Sequence, residues 1–278
     1  MTTTTAAGPS ALALTPLKTT QQATWASGDF RRIAARIVLV SELLADAADL
    51  RAGSRVLDVA CGNGNATLAA ARSDAAVLGV DYVEELLADG RRRAEAEGLA
   101  VEFRLGDAEA LPVADDSFDA ALSVFGVMFA PDHGRAAAEL VRAVRPGGTI
   151  GLASWCPDGF IGAMFRTVAG HVPPPPGVAS PLLWGTADHV AELLGDAAAD
   201  IRSETRTCTL RFPTAAAFVD EFRRWYGPTV RAFGALDEAG AAALHRELTA
   251  LARQWDRHGG EGAVALPSTY LESIVTLR

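Results

Sequence analysis

Two carboxylates, each set in a short apolar run, carry the strongest chemical signal in the sequence. Asp58 lies in Arg55-Val-Leu-Asp-Val-Ala-Cys-Gly-Asn-Gly-Asn-Ala-Thr67, and Asp81 closes Leu78-Gly-Val-Asp81. The first segment reads as a buried strand over 55–60, a glycine turn at Gly62 and Gly64, and a helix over 64–72. Such a turn brings bare backbone N–H groups up to a ligand that no side chain blocks. Alone it is a weak nucleotide signal, because Thr67 stands where a dinucleotide fingerprint has its third glycine. Asp81 strengthens it. An acid at the end of the next strand stands at the distance expected of a group that grips ribose hydroxyls.

The elements that would position these residues alternate along the chain. Further strands are expected over 76–80, 100–105, 118–124 and 148–155, with helices over 83–97 and 133–144. Alternation of this kind argues for a parallel sheet with helices on both faces. Before it, 1–16 is a Thr/Ala-rich arm, expected to be mobile, and 21–30 a polar segment with one aromatic, Trp25. The stretch 30–48 carries Ile33, Ile37, Val40, Leu43 and Leu44 at the spacing of one amphipathic helix. After Trp155 come helices over 160–169 and 186–194, a stiff spacer at Pro173–Pro176 and strands over 199–212 and 263–277. Two helical runs, 215–226 and 238–257, fall between the last two strands and read as a lid over the open end of the sheet. The organisation expected is an N-terminal arm and helix (1–49), a cofactor-binding core (50–155) and a segment completing the sheet and carrying the lid (156–278).

The ordered set formed by the Asp58 turn, Asp81, Asp107-Ala108, the strand after Asp115-Asp-Ser-Phe-Asp119 and Val144-Arg-Pro-Gly-Gly-Thr-Ile-Gly-Leu152 resembles the class I S-adenosylmethionine-dependent methyltransferases. Within them it is most similar to the small-molecule branch of ubiquinone and menaquinone methyltransferases, strongly over roughly 50–155. The resemblance implies an α/β fold with a Rossmann-like, seven-stranded, mostly parallel sheet and S-adenosylmethionine as cofactor. It implies methyl transfer to O, N or C of a small acceptor. Carried over by position, Asp58, Gly62 and Gly64 would shape the methionine and ribose side, and Asp81 would accept both ribose hydroxyls. Asp107 would take the adenine amino group, with the Ala108 N–H facing the ring. Ser123 to Phe125 would form the floor beneath the sulfonium. Ala60 departs from the glycine of many relatives, which touches only local geometry. Tyr82 covers the adenine face or packs. Trp25 folds over the methionine end of the cofactor or anchors the arm.

In-line displacement on an activated methyl needs alignment more than a nucleophilic residue. A general base could be His133, just after the fourth strand. Pro131-Asp132-His133 also reads as a helix start, with Asp132 as N-cap and His133 exposed. Aromatic and apolar residues gather at strand ends and in the expected lid, among them Phe125, Met128, Trp155, Trp225 and Tyr226, and point to an apolar acceptor.

The bulk numbers exclude other classes. A net charge of −9 disfavours nucleic acid as a partner, and Arg91–Arg93 is a short run flanked by acids. Cys61, Cys156 and Cys208 form no CxxC pair, which argues against a disulfide framework or structural zinc and suits a reducing cytoplasm. No His/carboxylate constellation points to a metal, and no stretch reaches transmembrane length. A homodimer stays open. Two other functions fit parts of the pattern. One is an NAD-dependent oxidoreductase, disfavoured by Thr67 and by the Asp107-Ala108 pair. The other is a pericyclase or binding protein that keeps the cofactor as a structural element.

Overall fold

The computed structural model describes residues 12, 14–259 and 262–278. Most of the arm expected over 1–16 lies outside them. Seven strands form one sheet: β1 Arg55–Val59, β2 Ala76–Asp81, β3 Val101–Leu105, β4 Phe118–Val124, β5 Val144–Trp155, β6 Ala198–Phe212 and β7 Val264–Leu277. Their spatial order is β3-β2-β1-β4-β5-β7-β6. The pairs through β5 are parallel, whereas β7 runs antiparallel to both β5 and β6. Chain direction across the sheet reverses outward from β1 and β4, so the crevice beyond their carboxyl ends is the place where an open α/β sheet binds ligands. Helices cover both faces of the sheet's centre, and β1, β2 and β4 accordingly read as largely apolar runs that carry Asp58, Asp81 and Ser123, with Arg55 and Asp119 near the strand starts.

The helices are α1 Pro16–Trp25, α2 Phe30–Ala34, α3 Val38–Ala47, α4 Asn65–Ala71, α5 Glu84–Glu97, α6 His133–Ala143, α7 Phe160–His171, α8 Ala187–Leu194, α9 Ala215–Trp225, α10 Gly227–Gly234 and α11 Glu238–Trp255. Three of these differ from the sequence reading. The segment read as arm and polar loop is α1, started by Thr15, whose hydroxyl accepts the Lys18 N–H, and by Pro16 in the first turn. The single helix expected over 30–48 is two, broken before Val38. The break lets Arg36 reach across to Glu221 and lie over the Phe212 ring, 4.1 Å from its centroid. The insertion between β6 and β7 holds three helices rather than two, because Tyr226 leaves helical geometry and Pro228 restarts the helix as α10.

Two glycines dock α1 against this insertion. A Cβ on Gly227 would lie 2.1 Å from the Thr24 carbonyl oxygen, so only glycine admits the arm. Gly28, at φ +80°, faces the Trp225 carbonyl, which accepts the Asp29 N–H at 3.0 Å. The arm therefore lies across the carboxyl ends of the strands, over the same crevice. No described helix is long and apolar enough to cross a membrane.

Candidate active site

β1 ends in a turn whose Ala60, Gly62 and Gly64 have φ of +54°, +55° and +85°. The positive angles curl the chain back so that α4 starts directly after Gly64. Asp58 is 1% exposed, and the Thr67 hydroxyl donates to its Oδ2 at 2.6 Å. Thr67 thus has a task that a third fingerprint glycine could not perform. Asp81 fastens the turn to β2: its two oxygens accept the Gly62 N–H at 2.9 Å and the Val83 N–H at 2.8 Å. Burial pushes the Asp58 carboxyl up to about 7 and Asp81 up to about 6. Neither forms an ion pair among the described residues. Cys61, between them, is no nucleophile, since burial and both acids raise its thiol well above the usual range.

Asp58, Ala60, Gly62, Asp81 and Tyr82 line a chamber of about 60 Å³, with Phe125, Trp25, Phe30 and Ser41 closing its other sides. Gln22 of α1 donates to the Tyr82 carbonyl and holds the arm down. A second, smaller chamber of about 30 Å³ adjoins it and shares Trp25, Phe30, Ile37, Phe125 and Phe129. Trp155, Phe222 and Tyr226 complete its aromatic wall, and Met164 and Leu210 its aliphatic one. Phe125 takes the left-handed conformation (φ +51°), strained for a side chain of this size, and its ring stacks on Trp155 at 3.7 Å and 3°. That strain aims the ring into the wall shared by both chambers. Arg36, the charged residue of the second chamber, is committed to Glu221.

Several residues singled out by sequence lie elsewhere. His133 begins α6 as expected, with Asp132 as N-cap, yet its side chain is buried against α8 rather than exposed or near the chambers. Its Nδ1 stands 3.0 Å from His189 Nε2, and burial together with His189 lowers its pKa to about 4. It is a packing residue, and the general-base expectation is withdrawn. Met128 is buried in the core and lines neither chamber. Trp225 also turns away: its indole packs beneath Arg224 and Arg32, at 4.5 and 5.7 Å, and only its carbonyl serves the arm. Gly64 abuts Phe103 instead of the chamber. The Ser123 hydroxyl ties β4 to β1, donating to the Val59 carbonyl at 2.7 Å and accepting the Val127 N–H at 2.9 Å. Asp107 and Ala108 are buried but not among the chamber walls. Lys18 of α1 claims the Asp107 carboxylate at 2.5 Å and Glu109 at 2.6 Å.

Residues that sequence reasoning passed over include Lys18, Phe30, Ser41, Asn63 and Asn65, whereas Phe129, one of the aromatics expected at the strand ends, lines both chambers. The Ser41 hydroxyl is fully buried in the chamber wall and has no hydrogen-bond partner among the described residues. An orphaned hydroxyl of that kind calls for a ligand to complete it.

Sheet order, turn and buried acids together define an α/β protein of the methyltransferase type. A methyltransferase-domain family profile matches residues 56–148. Over 244 residues the chain is 42% identical to an uncharacterized protein of Mycobacterium tuberculosis, covering 86% of this chain and 89% of that one. It is 37% identical over 161 residues to the demethylmenaquinone methyltransferase of Thermus thermophilus, covering 52% of this chain and 73% of the relative. In fold it is similar to the YcgJ protein of Bacillus subtilis, at a TM-score of 0.56 and 18% identity, covering 86% of this chain and 98% of that one. The chain belongs to the class I S-adenosylmethionine-dependent methyltransferases, and S-adenosylmethionine is its cofactor. Its residues fit that molecule: two buried acids without cations, an orphaned serine hydroxyl, and a Gly62 cradle in which an added Cβ would sit 3.4 Å from the Phe30 ring.

Proposed function

We propose that the chain methylates an O, N or C atom of a small, apolar acceptor held in the aromatic chamber. One observation carries this reading: Asp58 and Asp81 lie buried and unpaired beside a chamber walled by aromatic rings. A buried acid without a cation is costly unless its site receives positive charge or hydroxyl donors. When bound, S-adenosylmethionine supplies an electrophilic methyl on a sulfonium. Asp81 has lone pairs left for ribose hydroxyls after its two backbone N–H bonds. Asp58 faces the methionyl side, and Asp107 takes the adenine amino group once Lys18 yields it. Phe125 and Trp155 form a flat surface against which an apolar acceptor stacks, aligned with the methyl and shielded from water. Neither chamber lining contains a histidine, so alignment and water exclusion carry the rate rather than a positioned base.

The test combines thermal shift with label transfer. S-adenosylhomocysteine should raise the melting temperature and NADH should not. Incubation with methyl-labelled S-adenosylmethionine and a panel of phenols, amines and activated-carbon acids should move label to an acceptor. Protection by NADH alone would make the chain an oxidoreductase. Conversion of an acceptor with all label left on the cofactor would make it a pericyclase.

A further inference from the structure

A groove of about 390 Å³ runs along the outside of the aromatic chamber, between α1, α7, α10 and the 172–182 segment. We infer that it holds the apolar tail of the acceptor, and that Trp25, Phe129 and Tyr226 form the gate between tail and head. The identity of the head rests on the methyl-transfer reading.

The helix pattern of α7 supplies the first argument. A helix packed on a sheet needs one apolar face, and Phe160, Ile161 and Met164 provide it. Yet Phe165, Val168, Ala169 and Val172 form a second apolar stripe, half-buried, turned to the groove. Phe165 and Val168 touch the core along one edge of this stripe, yet the stripe is only half covered and leaves apolar surface in water. The proline-rich segment faces it with Val178, Pro181 and Leu182 and closes the other side.

Continuity supplies the second argument. Trp25, Phe129, Met164 and Tyr226 line both the aromatic chamber and the groove, so the two spaces share a wall. Three of these are aromatic and stand edge to face: Trp25 is 4.8 Å from Phe129 and 5.6 Å from Tyr226. Rings in contact of this kind part by side-chain rotation, which leaves backbone hydrogen bonds in place. Size and charge agree. The chambers, at about 60 and 30 Å³, are the smaller spaces, whereas the groove is several times larger. Arg166 is the charged residue of its lining, so a long uncharged chain fits it and a polyanion or peptide of alternating charge does not. The occupant is therefore an alkyl-type tail continuous with a head in the chamber.

A series of 4-alkylphenols, from methyl to decyl, tests this on the full chain saturated with S-adenosylhomocysteine. Affinity should rise by about three- to fourfold per methylene until the groove is filled, as apolar transfer requires. Val168→Asp and, independently, Ala169→Glu should flatten the series while leaving 4-methylphenol and S-adenosylhomocysteine affinities as they were. Both positions are half-buried on the outer face of α7, and melting curves report whether either variant is folded. A flat series on the unaltered protein, no binding at any length, or a slope kept in both folded variants overturns the inference. So does a series that becomes steep only after residues 1–13 are removed, which would make the chain's own terminus the occupant. A slope that vanishes as self-association grows with protein concentration would assign the groove to a second copy and overturn it equally. Failure of methyl transfer itself is read separately, from S-adenosylhomocysteine binding and label.

Discussion

Replacing Asp81 by alanine removes one carboxylate with two duties. It holds the cradle, through the Gly62 and Val83 N–H groups at 2.9 and 2.8 Å, and on the proposed reading it offers its remaining lone pairs to ribose hydroxyls. A hydrogen bond to a charged group contributes about 1.5–3 kcal/mol, and water entering the vacated space returns part of it. The expected net loss of S-adenosylhomocysteine affinity is therefore about 1–3 kcal/mol, or roughly 5- to 150-fold in Kd. Calorimetry should be run near pH 8, above the values of about 6 for Asp81 and about 7 for Asp58, so that both acids are ionised. A deoxyribose analogue separates the two duties. If Asp81 meets the ribose, the analogue should bind the unaltered protein more weakly and lose little further on the variant. Additive losses would place Asp81 away from the ribose and leave it as a fastener of the turn. An unchanged Kd in a folded variant would refute the reasoning outright.

The pH dependence has a definite sign. Asp58 and Asp81 are raised from 3.8 to about 7 and about 6, so their contribution to cofactor-free stability is full below about pH 4 and lost as pH rises to 7. S-adenosylmethionine affinity should move the other way, gaining up to about tenfold per pH unit for each proton released, and a flat profile from pH 5 to 8 would contradict it. Asp119 and Glu139, held low by arginine and backbone partners, act in the opposite sense, so Asp58→Asn is the comparison that isolates the effect. Gly64→Val should destabilise the fold by about 1–3 kcal/mol, because its Cβ would meet Phe103 at 2.8 Å on a backbone at φ +85°; an unchanged melting curve would disprove the packing. Trp225→Ala should lower stability modestly with no selective change in acceptor KM, and a selective KM effect would return the indole to the chamber. His133→Ala should leave kcat intact once unfolding is accounted for, whereas a drop of about a hundredfold or more would restore a general base.

The parts of the site that were legible in the sequence are those built from local pattern. Asp58, Gly62 and Asp81 stand out because a fully buried strand is a continuous apolar run, and an acid within or closing it has few structural uses. Lys18 and Ser41 were invisible because their chemistry depends on which distant element each one meets. For α1 a signal was present, in Thr15-Pro16, but the helix buries no residue and so shows little apolar periodicity. Trp225 and Tyr226 part company where α9 ends, because Tyr226 leaves helical geometry. Tyr226 faces inward and Trp225 outward. His133 shows the converse limit, since its cap was readable but its burial against His189 was set by a helix fifty-odd residues later.

The arm ties the two halves of the site together. Lys18, on Asp107, and Trp25, in the wall of both chambers and the groove, are seven residues apart on one helix, hence on one face and about 10 Å apart. A helix of ten residues held by Gly227 at one end moves as a unit. If Asp107 takes an adenine amino group, freeing it from Lys18 shifts the same element that carries the Trp25 ring. Trp25 also walls the chamber beside the Asp58 turn, so a shift of α1 would change the room there. On that reading cofactor seating and acceptor access run through a single helix. Substitutions at Lys18 should then register in acceptor binding, although Lys18 lines neither chamber.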